Sequence, residues 1–228
     1  VLLQMPAFHS RNFGPGFDPD FDRIARRAPM ITLRRTVVPV LLALVPNIAF
    51  AHPDISHASG LAHGFMHPLS GLDHILAMVL VGMFAWQLGG RALLLVPLAF
   101  VTVMAAGGAL GMTGVPLPMV EVGIAMSIVV LGVIVATQWR SPVVAAMGIA
   151  GVFGIFHGYA HGMEMPADGG GLAYAVGFLS ATAIIHMLGL GFGMAVGRVS
   201  TERGGSALVR TAGGFAAVAG VGVLAGLI

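Results

Sequence analysis

From Pro68 onward the chain is almost continuous apolar sequence, broken at intervals of about 25 to 30 residues by single charges and by Gly or Pro. That punctuation predicts spans at 68–89, 91–112, 117–138, 142–162, 171–197 and 206–228, each near the roughly 20 residues an α-helix needs to cross a bilayer. The expectation is therefore an all-α polytopic membrane protein, a six-helix transmembrane bundle with short loops embedded in a lipid bilayer.

The pattern before Pro68 differs. Residues 30–51 begin with a basic stretch ending in Arg34-Arg35, continue as an apolar run from Thr36 to Phe50 and finish Ala49-Phe50-Ala51. A basic start, a short apolar core and an A-x-A end read as a cleaved signal peptide; the run is short for a span and contains Pro39, Pro46 and Asn47. The mature chain then starts at His52. Residues 1–29 are polar, rich in Pro, Gly, Arg and Phe, and show neither helical nor strand period; with Met30 placed where a signal peptide starts, they read as an over-extended or disordered N-terminus. Residues 52–66 read as a periplasmic His-containing segment, and 67–228 as the transmembrane domain.

Composition sharpens this. Hydrophobic residues make up 57% and charged residues 9% of the chain, whereas about a quarter of an ordinary soluble domain is charged. There is no Cys, which removes disulfides, thiolate catalysis and Cys-based metal sites, leaving oxygen, imidazole and thioether chemistry. The net charge of +2 does not mark a nucleic-acid surface, because Arg11, Arg23, Arg26, Arg27, Arg34 and Arg35 all precede the mature start and the later arginines are scattered singly. Arginine also orients the bundle. Exporting the N-terminus places Arg91, Arg140, Arg198 and Arg203 in inside loops and leaves Glu164 and Asp168 outside, as the positive-inside rule requires. Both termini are then periplasmic in a bacterial inner membrane.

Small residues recur four apart, at Gly154, Gly158 and Gly162, at Gly189, Gly193 and Gly197, and at Gly222 and Gly226. Such spacing lets helix backbones approach closely in lipid, within one chain or in a homo-oligomer.

Ionisable side chains in hydrocarbon are costly and mark sites or pathways, and here they cluster. The first span opens His67-Pro68-Leu69-Ser70-Gly71-Leu72-Asp73-His74. On one continuous helix His67 and His74 would share a face, with Asp73 either a ligand or the carboxylate that orients His74. The fourth span ends His157-Gly158-Tyr159-Ala160-His161-Gly162-Met163-Glu164. His157, His161 and Glu164 project from one stripe there, and two imidazoles four apart can chelate a divalent ion. The alternating topology puts both motifs at the external end of the bundle. Glu121 falls at a similar level, as a pathway residue or as a first-turn acid favoured by the helix dipole. His186 lies deeper, as an interhelical hydrogen bonder or a step on the path. His52, if it becomes the N-terminus, offers amine and imidazole as a chelate.

His67-x5-Asp73-His74, together with Phe156-His157-Gly158-x-Ala160-His161-Gly162-x-Glu164, resembles the signature pair of the HupE/UreJ family. That family consists of small membrane proteins associated with nickel supply to hydrogenase and urease, commonly with a cleaved signal peptide and six spans. The resemblance implies uptake of nickel or cobalt, with His67, Asp73, His74, His157, His161 and Glu164 as motif positions and with hydrogenase or urease maturation proteins as partners. The residues themselves specify only a divalent transition metal, since imidazole with carboxylate suits nickel, cobalt, zinc and copper alike. The metal is cargo; no permanently bound cofactor is expected.

Other readings remain. Met66, Met163 and Met165 flank the motifs and would suit copper. An intramembrane zinc hydrolase could use the same ligands with an activated water, but His-Glu-x-x-His is missing, so an enzyme is not expected. A metal-binding accessory would bind without transporting. No Walker A loop is present, which points to a secondary permease.

Overall fold

The computed structural model describes residues 60–165, 171–199 and 202–227. The expected signal peptide at 30–51, residues 1–29, His52 and Asp168 lie outside them. Every regular element among the described residues is an α-helix: α1 (Gly60–Ser70), α2 (Leu72–Leu88), α3 (Ala92–Met112), α4 (Val120–Thr137), α5 (Val143–Met163), α6 (Gly171–Val199) and α7 (Glu202–Leu224). Only helices satisfy all their backbone polar groups within a single segment in lipid. The helices α3 to α7 are each long and apolar enough to span, and α1 with α2 makes a sixth crossing if the bent pair counts as one. The chain is a multi-pass membrane protein.

That bend corrects the expectation of one straight first span. The axes of α1 and α2 meet at 84°, so His67 and His74 do not share a helix face. Three local features produce the break. Pro68 lies in the last turn of α1 and, having no N–H, cannot donate to the Gly64 carbonyl, which weakens that turn. The Ser70 hydroxyl donates back to the His67 carbonyl at 2.6 Å, occupying an acceptor that continuing helix would use. Gly71 is extended, at φ −103° and ψ 121°, and caps α2. A Cβ at Gly71 would stand 2.6 Å from Asp73 Oδ1 and 2.9 Å from His74 Nδ1. Glycine there lets the Asp73 and His74 side chains fold back over the break.

Glycines also set the helix pairing. Cβ atoms on Gly154, Gly158 and Gly162 would run into the carbonyls of Phe100, Met104 and Gly108, so α5 lies backbone against backbone on α3, its most extensive partner. Gly82 meets the His186 carbonyl and Gly189 the Val79 carbonyl, bringing α2 against α6. Gly64 and Gly177 do the same for α1 and α6, at the Tyr174 and Leu61 carbonyls. The third pair, α4 with α7, closes through Gly132 and Gly213. The small-residue spacing at 154, 158 and 162 thus serves packing within the chain, whereas Gly226 has no atom within 4 Å of its added Cβ.

Met78, Phe84, Phe100, Met104, Ile128 and Leu131 fill the centre of the bundle, while Leu94, Val144, Phe215 and Val218 point outward, as lipid-facing side chains do. At one end Gly89 and Gly90, both with positive φ, turn the chain without the strain a side chain would bring there. The Gln87 amide reaches the Trp139 carbonyl at 2.8 Å, tying that turn to the loop after α4. At the other end the Tyr159 hydroxyl donates to the Val115 carbonyl at 2.7 Å and accepts from the Leu117 amide at 3.1 Å. That second end carries both histidine motifs.

Candidate metal centre

The array is assembled from three helices, because the bend aims α1 and α2 at the end of α5 from two directions. His67, from α1, places its Nε2 2.9 Å from Glu164 Oε2. Glu164 caps α5, and the same carboxylate oxygen lies 3.6 Å from His161 Nδ1, too long for a hydrogen bond. Ligand atoms of His67, His161 and Glu164 all lie within 4.8 Å of one another. Imidazole nitrogens sit about 2.0–2.1 Å from a bound transition metal, so the three would have to draw together to share an ion.

His161 also faces inward. Its ring centroid is 4.8 Å from that of His67 and 4.6 Å from that of His74, and His74 in turn is 4.9 Å from His157. Four imidazoles thus form a continuous row from the partly exposed His67 to the wholly buried His157. Of the sequence candidates, His67, Asp73, His74, His157, His161 and Glu164 come together although they are up to 97 positions apart.

The hydrogen bonds decide which nitrogen of each inner ring is free. The His74 Nδ1 is 2.8 Å from Asp73 Oδ1, and a carboxylate only accepts, so the proton sits on Nδ1 and the Nε2 lone pair is free. That Nε2 is buried with no partner. Asp73 Oδ1 also accepts from the His74 backbone N–H at 2.8 Å, which holds the ring in place. At His157 the Ser127 hydroxyl donates to the Ile124 carbonyl at 2.6 Å and so accepts from His157 Nε2–H at 3.0 Å. His157 Nδ1, also buried and unpartnered, is left as the ligand atom. Neither nitrogen of His161 has a hydrogen-bond partner. Each buried ring therefore offers a lone pair of the kind that ligates transition metals.

Two candidates stand apart. Glu121 is exposed in the first turn of α4 and joins neither an ion pair nor the row among the described residues, which leaves it where the helix dipole favours an acid. His186 is fully buried on α6, against Phe100 at 5.0 Å between centroids.

Sequence reasoning passed over Ser127, which holds His157 although it is a hydroxyl within an apolar span; a search restricted to ionisable groups does not see it. It also passed over Tyr174, whose ring lies 5.4 Å from His63 and 5.8 Å from His67 and forms the wall behind them. His63, 6.0 Å from His67, extends the row outward. Beside His161 a cavity of about 130 Å³ is lined by Met104, Met112, Met165, Tyr174 and Phe178 among others, and its wall is almost wholly apolar.

The arrangement is that of the motif pair. A family model described as HupE / UreJ protein matches residues 40–223. Protein HupE of Rhizobium leguminosarum bv. viciae is 46% identical over 182 residues, covering 80% of this chain and 93% of that protein. No solved structure matches the chain.

Proposed function

Because the chain belongs to the HupE/UreJ family, we propose that it is a secondary permease that imports a divalent transition metal, nickel foremost and cobalt next, for metalloenzyme maturation. The observation that carries this reading is the convergence of His67, His161 and Glu164 at one end of a membrane bundle, continued inward by His74 and His157. A row of imidazoles running from the solvent-reached His67 to the buried His157 lets an ion exchange water for nitrogen stepwise, which lowers the cost of carrying charge into hydrocarbon. Nickel rests on the family resemblance; the donor set supports any borderline divalent ion.

In this reading the motif end faces the periplasm of the inner membrane and both termini are periplasmic, supported by arginines at 91 and 140 at the opposite end. Membrane potential, a proton gradient or trapping inside supplies the drive. Partners are hydrogenase or urease maturation proteins that receive the ion.

The test is uptake of Ni²⁺, Co²⁺, Cu²⁺ and Zn²⁺ into liposomes carrying the full chain, with and without His157→Ala plus His161→Ala. Entry of nickel that the double change abolishes is the expected result. Preferential copper entry would replace the ion. Binding without entry would make the protein an accessory, and bound zinc with peptide or lipid turnover a hydrolase.

A further inference from the structure

His186 has no structural occupation. Its side chain is fully buried, yet neither Nδ1 nor Nε2 has a hydrogen-bond partner, so the expected role as an interhelical hydrogen bonder is not the one it fills. A buried polar group left unpaired is destabilising, and a leucine of similar size would suit the surrounding apolar packing better. A residue kept at that cost is explained by a ligand.

Its place in the bundle says which. His186 lies about one helical turn deeper than His157: Thr182, four residues before it on α6, reaches Met104, whose carbonyl packs against Gly158 beside His157, and four residues are about 6 Å of helix. The Phe100 ring touches both imidazoles, tilted against His157 at 5.6 Å between centroids and edge-on to His186 at 5.0 Å. The ring thus lines the way between the two imidazoles with apolar surface. Thr182, buried one turn before His186 on the same helix, has its hydroxyl 4.0 Å from the Met104 sulfur. Gly82 brings α2, which carries Asp73 and His74, against the His186 backbone.

Resting on the permease reading, we infer that His186 is a second metal-binding position on the transport path, reached from His157 across the Phe100 ring. It takes a divalent transition ion after the outer row has stripped its water, and holds it between the periplasmic array and the inner half of the bundle. The outer row captures; His186 passes on.

The proposal separates binding from entry. With the full chain, Ni²⁺ binding is measured in detergent and Ni²⁺ entry in liposomes for the wild type, His186→Leu and His186→Gln. The expected result is affinity at the outer array within about twofold of wild type with one fewer ion bound, and entry reduced at least about tenfold in both variants, with His186→Leu melting about 2–4 °C higher because the unpaired imidazole is gone. Wild-type entry in either variant overturns the proposal. If His186→Leu melts lower, the imidazole is structural at that site and the decision falls to His186→Gln: lost entry with retained affinity at the outer array supports a path residue, unchanged entry overturns it. Failure of the permease reading looks different, since His157→Ala plus His161→Ala would then leave entry intact whatever His186 does.

Discussion

The outer and inner halves of the histidine row are built on opposite plans. At the outer end His67 hydrogen-bonds one carboxylate oxygen of Glu164, an exposed residue at a helix terminus, and His161 stands 3.6 Å from the same oxygen. At the inner end each ring has its own uncharged or local partner: Ser127 for His157 and the adjacent Asp73 for His74. The outer half can rearrange and is reached by solvent, which suits capture of a hydrated ion. The inner half is held in one tautomer with one nitrogen free, which suits selection by geometry. Accessible charge and fixed lone pairs do different work, and His161 belongs to both.

Removing the shared residue should do most harm. His161→Ala is expected to lower metal entry by more than about 100-fold, beyond the roughly 10–100-fold typical of losing a group that only orients a ligand; entry in liposomes and equilibrium binding should fall together. A drop in entry alone would place His161 on the path without making it a ligand.

Next come the two carboxylates, compared at low and high salt. Glu164→Ala and Asp73→Ala are each expected to weaken binding about 10–100-fold. The Glu164 effect should shrink as ionic strength rises, because exposed charge is screened beyond about 10 Å at 0.1 M salt, while the Asp73 effect should hardly change. Equal salt dependence at both would erase the contrast between the two halves.

A smaller loss, about tenfold, is expected for Ser127→Ala, which strands the His157 Nε2–H and frees the ring to take the other tautomer. Ser127→Thr, retaining the hydroxyl, should recover most of it in the same binding titration. The smallest change is with acidity: imidazoles must be neutral to coordinate, so entry should fall, and not rise, as the external solution is acidified. Entry that rises steadily from pH 7 to pH 5 would count against histidine ligation altogether.

Much of this was legible along the chain. Hydropathy alone places α3 to α6 within a few residues of their observed bounds, since a span must be long, apolar and continuous. Motif spacing is enough to single out His157, His161 and Glu164, because three- and four-residue steps on one helix carry side chains to one face whatever surrounds it. The glycine steps at 154, 158 and 162 mark a packing face for the same reason.

The first span was legible only in part. A continuous helix puts His67 and His74 on one face, and nothing in their spacing reveals that Ser70 and Gly71 turn the chain by 84°. They meet instead through His161, a residue of another helix. Ser127, Tyr174 and Phe100 escaped notice because a hydroxyl or an aromatic ring in an apolar run is unremarkable until its neighbour is known.

Local periodicity and hydropathy thus determined which segments cross the membrane and which ionisable residues are candidates for chemistry, for these follow from backbone geometry and transfer free energy within one segment. The tertiary structure decided which imidazoles face one another, which nitrogen of each is free and which candidates, such as Glu121, stand aside. Those depend on close approach between helices remote in sequence, where one missing Cβ sets the distance and one hydrogen bond sets the tautomer.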